Sequence, residues 1–222
     1  MASKAHRVLK GLVGGCAVVV LAVAVTGCFA PQYTYVANSG QNTYFKVPYG
    51  WHKIGPSSLS KEVQEVFGSS SGWMVAYQSG SDPTASNFLG FNSGQPFVFA
   101  EVGELTSSAS SGLSYNTLRD FFLPVTSSGR SDASKDDFPL TDFKQIRDET
   151  LTPGQGVHGV RETFDYTYPE DGDTTDTFDE IALTNADQTE VYLLVLHCTS
   201  TCYSHDQTEI NDVMSSFTIR SP

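Results

Sequence analysis

The chain has 222 residues, a length that suits one globular domain preceded by a leader segment. Aromatic residues make up 12% of the sequence, and this content argues against disorder along the whole chain. The formal charge is −12 and the body of the chain has no basic patch, so the composition argues against nucleic acid as a partner.

The N-terminus has the pattern of a secretory signal. The first ten residues carry three basic side chains and no acidic one, and the run from Gly11 to Val25 is apolar and uncharged. A basic segment followed by a short apolar run is typical of a signal peptide. The run is shorter than the roughly 20 residues that a membrane-spanning helix needs. We therefore predict that residues 1–27 are a signal peptide.

The motif Val25-Thr26-Gly27-Cys28 closes the apolar run and resembles the lipobox of bacterial lipoproteins. The resemblance implies a diacylglyceryl group on the Cys28 thiol and cleavage directly before this residue. Cleavage would leave 10 basic and 25 acidic residues, a charge of about −15, so an anionic membrane would repel the domain itself. We expect the lipid to be the membrane contact. The alternative is an ordinary cleaved signal followed by an incidental cysteine.

A short polar and aromatic segment follows the lipobox. We predict that residues 28–42 are a flexible tether, spanning on the order of 20 Å. Residues 43–222 are then the single folded domain, at the extracytoplasmic face of the cell membrane.

The first half of this domain alternates strand and helix patterns. Thr43–Val47 is predicted as a strand that Pro48-Tyr49-Gly50 turns into a return strand over 51–54. Ser58 is the predicted cap of a helix over Leu59–Phe67. Further predicted elements are strands over Trp73–Ser79 and Phe97–Glu104, a helix opened by Ser114, and a mobile polar loop over Thr126–Asp137.

The second half has stronger patterns. Strands are predicted over 143–151, 157–168 and 177–184. Glu190–His197 is apolar on both faces, which indicates a central strand covered on both sides. Ser204 and Gln207 form a predicted capping box for the last helix. The buried stripe of that helix is predicted as Ile210, Val213, Met214 and Phe217. These elements predict an α+β fold, a mostly antiparallel sheet sandwiched by helices.

Two motifs resemble a known family. Phe45-Lys46-Val47-Pro48-Tyr49-Gly50-Trp51 is similar to the opening of PsbP/Mog1-like domains, and the closing segment Met214–Ile219 is similar to their end. Actinobacterial lipoproteins of the LpqN type share this plan. The resemblance implies a sheet between helices and a protein that binds or supports partners. It supplies no catalytic residues, so no enzyme activity is expected.

Cys198 and Cys202 stand at C-x₃-C between the central strand and the last helix. A disulfide is favoured because the predicted location is oxidising. The alternatives are a zinc site that adds His197 and His205, and a redox dithiol. The spacing departs from the usual zinc pattern, and no metal or cofactor is expected.

Six acidic residues fall near one predicted hairpin tip. A solvated acidic turn is the favoured interpretation, and a calcium-dependent surface module is the alternative. The residues are Glu170, Asp171, Asp173, Asp176, Asp179 and Glu180.

A third function is an envelope hydrolase with an unrecognised site. The stretch Gly68–Gly72 matches G-x-S-x-G, but a helix precedes it and a strand follows it, the reverse of a nucleophile elbow. His52 and His158 are isolated candidates for such a site. The favoured prediction is a non-catalytic binding or accessory lipoprotein whose partner is an envelope protein or a small ligand.

Overall fold

The structure is a computed structural model that describes residues 32–67, 72–90, 93–169 and 172–220. The predicted signal peptide, the lipobox with Cys28, and most of the G-x-S-x-G stretch lie outside the described residues. No helix among the described residues is both long and apolar enough to cross a membrane.

The described residues form ten strands in two sheets. The strands are β1 (Tyr33–Asn38), β2 (Thr43–Pro48), β3 (His52–Lys53), β4 (Gly72–Gln78), β5 (Phe97–Glu104), β6 (Thr141–Gly154), β7 (Val157–Tyr168), β8 (Thr174–Thr184), β9 (Glu190–Thr199) and β10 (Thr218–Ile219). The smaller sheet has the order β1-β2-β10 and the larger has the order β3-β4-β5-β9-β8-β7-β6. All recorded pairs are antiparallel.

The described helices lie between and after the strands. They are α1 (Pro56–Phe67), α2 (Ser107–Ser111), α3 (Tyr115–Arg119), α4 (Ser127–Ala133), α5 (Ser200–His205) and α6 (Gln207–Met214), with 3₁₀ turns at Ala85–Phe88 and Ser134–Asp136. The α+β class is therefore confirmed. The predicted central strand is also confirmed, because β9 is the middle strand of the larger sheet.

The larger sheet is covered on both faces. We call face 1 the side that bears Phe99, Phe164 and Val195, where α1 and α3 add Leu59 and Leu118 to the core. Face 2 is the opposite side, where the smaller sheet and α6 pack. The predicted stripe of α6 is confirmed, with Ile210, Val213 and Met214 buried and Phe217 packed against them.

The register also separates two ends of the fold. We call the end of the fold that contains Gln32 the proximal end. The Gln32 carbonyl accepts a hydrogen bond from the Tyr49 amide at 2.9 Å. Pairing of His52 with Gln78 joins this turn to the larger sheet. At the distal end lie the turn after β1 and the hairpin turns β6–β7 and β8–β9.

Several local predictions are wrong. The predicted tether over 28–42 contains β1, because the main chain of 33–38 pairs with β2. The segment 51–54 does not return along β2, and only His52–Lys53 forms a strand, which pairs with β4. The predicted mobile loop over 126–137 contains α4, whose N-cap is the Thr126 side chain.

Two predicted caps are also wrong. Helix α1 begins at Pro56, so Ser58 lies inside it. Ser204 lies inside α5, whose N-cap is Thr199, while Asp206 precedes α6 without a capping side-chain bond. In contrast, the Ser114 side chain caps α3 as predicted, accepting from the Thr117 amide at 3.1 Å.

Candidate functional site

The two late cysteines lie at the proximal end. The structure contains the predicted Cys198–Cys202 disulfide, which ties the end of β9 to α5. The side chain of Thr199 accepts a hydrogen bond from the Cys202 amide inside this loop. The disulfide therefore holds the end of the central strand close to the start of the C-terminal helices.

The rival zinc site does not come together. The His197 ring turns to face 1, where it stacks on Phe178 with ring centroids 5.0 Å apart and places Nδ1 3.3 Å from Asp176. His205 is exposed beside Asp206. Among the described residues, no group of three potential ligands is arranged to hold a metal ion.

The two isolated histidines lie at opposite ends of the larger sheet. His52 pairs with Gln78 at the proximal end. His158 starts β7 at the distal end, where its Nδ1 lies 2.9 Å from the Gly156 carbonyl. They cannot serve one site together.

The prediction of a solvated acidic turn is wrong for three of the six acidic residues. Asp176, Asp179 and Glu180 are buried within β8, and successive side chains on a strand point to opposite faces. Asp173 is exposed at the tip, while residues 170 and 171 are outside the described part of the chain. The three buried acids have partners inside the domain or are closed off there, so they are not available to a cation at the tip.

On face 2, Asp179 is the centre of a hydrogen-bonded ion pair. Arg161 donates to its two oxygens from Nε at 2.9 Å and from Nη2 at 2.7 Å. The Tyr203 hydroxyl of α5 donates to Oδ2 at 2.8 Å. Because Arg161 belongs to β7 and Tyr203 to α5, this carboxylate ties both elements to β8.

On face 1, three carboxyl groups form a row across neighbouring strands. Asp148 of β6 is paired with Glu162 of β7, which is paired with Glu180 of β8. Arg119 of α3 bridges the first two, with Nη2 2.8 Å from Asp148 and Nε 3.0 Å from Glu162. Gln145 donates a further hydrogen bond to Glu162 at 2.8 Å.

The direction of the pKa shift changes along the row, from Asp148 at the edge of the sheet to Glu180 in the interior. The Arg119 guanidinium lowers the pKa of Asp148. Burial raises the pKa of Glu162 to about 7, and a hydrogen bond with Asp148 acts in the same direction. Burial also raises the pKa of Glu180 well above its ordinary value, and the charge of Glu162 adds to this shift. The folded protein therefore disfavours the charged form of Glu180.

These carboxyl groups resemble a catalytic pair in type but not in access. Glu162 and Glu180 are both 0% exposed, beneath Arg119 and the core of face 1. A general acid must reach the atom that it protonates. A substrate in solution cannot reach either carboxyl group in this conformation, so we do not place the functional site here.

An open cleft lies at the distal end, between the smaller sheet and face 2. Its apolar part has a volume of about 490 Å³. Ile181 and Leu183 of β8 form the floor, and Gly159, which pairs with Leu183, adds no side chain there. The walls are Leu151, Thr152 and Pro153 on one side and Phe217, Thr218 and Ile219 on the other.

The polar part of the cleft adjoins the apolar part at Ile219, which lines both. It has a volume of about 310 Å³ and is bordered by the three distal turns. Its hydrogen-bonding side chains are Gln41, Asn42, Gln155, Asn185, Asp187, Glu190, Tyr192 and Arg220. An apolar groove directly beside a polar pocket suits a ligand with an apolar body and a polar head.

The polar part is held in place by internal contacts. The Glu190 carboxylate accepts hydrogen bonds from Tyr192 at 2.6 Å and from Asn185 at 3.3 Å. The Arg220 guanidinium lies over the Tyr44 ring, 4.5 Å from its centroid, and the Arg220 amide donates to the Asn42 carbonyl at 2.8 Å. These contacts fix the positions of Glu190 and Arg220 relative to the neighbouring turns and strands.

Two non-glycine residues that line the polar part have left-handed backbone conformations. The φ angles of Asn42 and Gln155 are 52° and 56°. Such conformations cost energy for residues other than glycine, and they occur often at binding sites. Sequence reasoning missed this cleft because its walls come from strands that are distant in the chain. The local signal was the Gly154-Gln155-Gly156 turn.

Comparisons with known proteins concern the fold. No family model and no curated protein matches this chain. Similar solved structures include cyanobacterial PsbP (CyanoP) from Synechocystis sp. PCC 6803, with a TM-score of 0.48 and 15% identity, covering 95% of this chain and 100% of that chain. LpqN of Mycobacterium tuberculosis, described as involved in cell envelope biogenesis, has a TM-score of 0.48 and 15% identity, covering 86% and 91%.

The Ran-binding protein Mog1p of Saccharomyces cerevisiae is similar with a TM-score of 0.45 and 10% identity, covering 84% of this chain and 95% of that one. The α+β class follows from the strand pairing and the helix positions described above.

Proposed function

We propose that this chain is a lipid-anchored extracytoplasmic binding module that takes up a small amphiphile in the distal cleft. The observation that carries the proposal is that an apolar groove and a polar pocket lie side by side and share Ile219 as a lining residue. An alkyl chain fits the groove floored by Ile181 and Leu183, and a hydrogen-bonding head group fits the pocket bordered by the turns. The proposal includes no catalytic step.

A small ligand is favoured over a protein partner by the shape of the site. The cleft is concave, and the groove and the pocket each have a volume in the range of sites that enclose small molecules. Its polar groups converge from three turns and from the C-terminal strand, which suits one head group better than an extended surface. An envelope hydrolase would need a nucleophile beside a histidine, and His52 and His158 lie at opposite ends.

Binding is tested with a fluorescent amphiphile, dansyl-undecanoic acid, titrated into the protein. We expect saturable binding that Ile219→Asp abolishes, because a charge at the junction disrupts both parts of the cleft. Ile146→Asp is the matched control, since Ile146 is an exposed isoleucine of β6 that does not line the cleft. Absence of saturable binding to the wild-type protein, or equal loss in both variants, would contradict this ligand class.

The anchor is tested separately by metabolic labelling with an alkyne fatty acid in cells. We expect Cys28→Ala to abolish labelling and to release the protein from the membrane fraction. Cys16→Ala is the control, because Cys16 lies in the apolar run that signal cleavage removes. Lipid labelling retained in Cys28→Ala would refute the anchor while leaving the cleft assignment open to its own test.

A further inference from the structure

The folded domain begins very close to the proposed lipid. Gln32 is bonded to the Tyr49 amide and Tyr33 starts β1, so the main chain is part of the domain from this point. Gln32 is only four positions after Cys28 in the sequence. An extended chain of this length reaches at most about 14 Å. A lipid on Cys28 would therefore hold the proximal end against the bilayer surface.

The proximal end presents a side chain that suits a membrane interface. Tyr49 is 63% exposed in the turn that receives Gln32. Tyrosine is favoured at the level of lipid head groups because its ring is apolar and its hydroxyl is polar. His52 and Lys53 follow on the exposed strand β3. We define Tyr49, His52 and Lys53 as the proximal surface.

Two acidic groups close to the chain entrance are engaged within the domain. Asp212 accepts a hydrogen bond from the Tyr33 hydroxyl at 2.8 Å, and Glu209 accepts one from Trp51 Nε1 at 3.0 Å. The Lys46 ammonium lies over the Tyr33 ring, 3.8 Å from its centroid. Lys46 places a positive charge close to the chain entrance, although the domain as a whole is strongly acidic.

We propose that the proximal surface rests on the lipid bilayer and that the distal cleft points away from it. The inference rests on the proposed lipid anchor. Strand β1 runs six residues from the bonded end to the turn that borders the cleft, a distance of about 20 Å. A ligand in the cleft is then exchanged with the extracytoplasmic medium and not taken directly from the bilayer to which the protein is attached.

The orientation is measured on the full lipidated protein in phosphatidylcholine vesicles, whose zwitterionic surface removes net charge attraction. Single cysteines replace Tyr49, Lys53 or Asp187 and carry an NBD fluorophore, with nitroxide-labelled lipid as the quencher. Asp187 is the matched distal position, exposed beside the cleft. The Lys53→Cys protein keeps Tyr49 in place, so it tests the surface without removing its aromatic contact.

We expect quenching at positions 49 and 53 to be several-fold stronger than at position 187. Equal quenching at the three positions, or stronger quenching at 187, overturns the orientation while vesicle association shows that the anchor holds. Failure of the lipid-labelled protein to sediment with vesicles overturns both the orientation and the anchor. Dansyl-undecanoic acid binding to the vesicle-bound protein reports separately on the cleft.

Discussion

Glu162 and Glu180 lie directly opposite each other on β7 and β8, and both carboxyl groups are buried on face 1. Two negative charges in this position would repel each other in a poorly solvated interior. Arg119 compensates Glu162, and burial raises the pKa of Glu180, which disfavours its charged form. The charge of Glu162 adds to the upward shift of the Glu180 pKa.

This pair predicts how stability depends on pH. The pKa of Glu162 is raised to about 7 in the folded state, against an ordinary value of 4.5, and that of Glu180 is raised in the same direction. Between pH 4.5 and pH 7 the carboxyl groups of the folded protein keep protons that the same groups release in the unfolded chain. The free energy of unfolding contributed by the pair therefore falls as pH rises from about 4.5 through 7.

Glu180→Gln removes one of the two titrations while keeping the shape of the side chain. We expect the variant to lose less stability than the wild type between pH 5 and pH 8, as measured by urea unfolding at each pH. Glu104→Gln is the control, because Glu104 is an exposed glutamate at the end of β5, and it should follow the wild-type profile. Parallel pH profiles for Glu180→Gln and the wild type would contradict the role of the pair.

The second prediction concerns the ion pair on face 2. Asp179→Ala leaves the Arg161 guanidinium without its bidentate partner and the Tyr203 hydroxyl without its acceptor. Breaking a buried ion pair from one side costs about 3 kcal/mol or more. Asp132→Ala breaks the exposed pair with Lys135 and should change the free energy of unfolding by less than about 0.5 kcal/mol. If Asp179→Ala and Asp132→Ala lowered the free energy of unfolding in urea equally, Asp179 would not stabilise the packing of β7 and α5 against β8.

The third prediction concerns the disulfide. Cys198 and Cys202 close a very short loop, and the chain-entropy relation gives a stabilisation of about 2 kcal/mol for a loop of this size. We expect the double variant with alanine at both positions to lose about this amount, and reductant should lower the wild type to the same level. Reductant should leave the double variant unchanged. Intact mass without reductant should lie about two mass units below the dithiol value, and free thiols would contradict the bond.

The fourth prediction separates backbone strain from a clash at the cleft. Gly154 and Gly156 both have positive φ angles, 114° and 79°, so alanine is strained at either position. A Cβ on Gly156 would lie 2.5 Å from the Ala186 Cβ, whereas a Cβ on Gly154 meets nothing within 4 Å. Gly156→Ala should therefore cost about 1–3 kcal/mol more than Gly154→Ala in thermal or urea unfolding. Equal costs would show that the distal turns are not in close contact.

The sequence by itself determined the local patterns of this protein. Alternation identified β4, whose Val75 and Tyr77 face one core while Ala76 faces the other. Continuous apolarity identified β9 as the central strand, because a strand that is covered on both sides has no polar face. The stripe of Ile210 and Val213 identified the buried side of α6. The lipobox before Cys28 remains a prediction of the sequence.

Only the tertiary structure decided which acids are buried and where the cleft lies. Asp179 and Glu180 looked like members of a solvated turn, since an acidic residue carries no local mark of its partner. Arg161 lies 18 positions before Asp179, and Arg119 lies 43 positions before Glu162. The sequence also shows no local sign of β1 within the predicted tether, because the hydrogen bonds that define β1 are made with another strand, β2. Burial and cleft shape arise from pairings between distant segments, and periodicity along the chain does not record them.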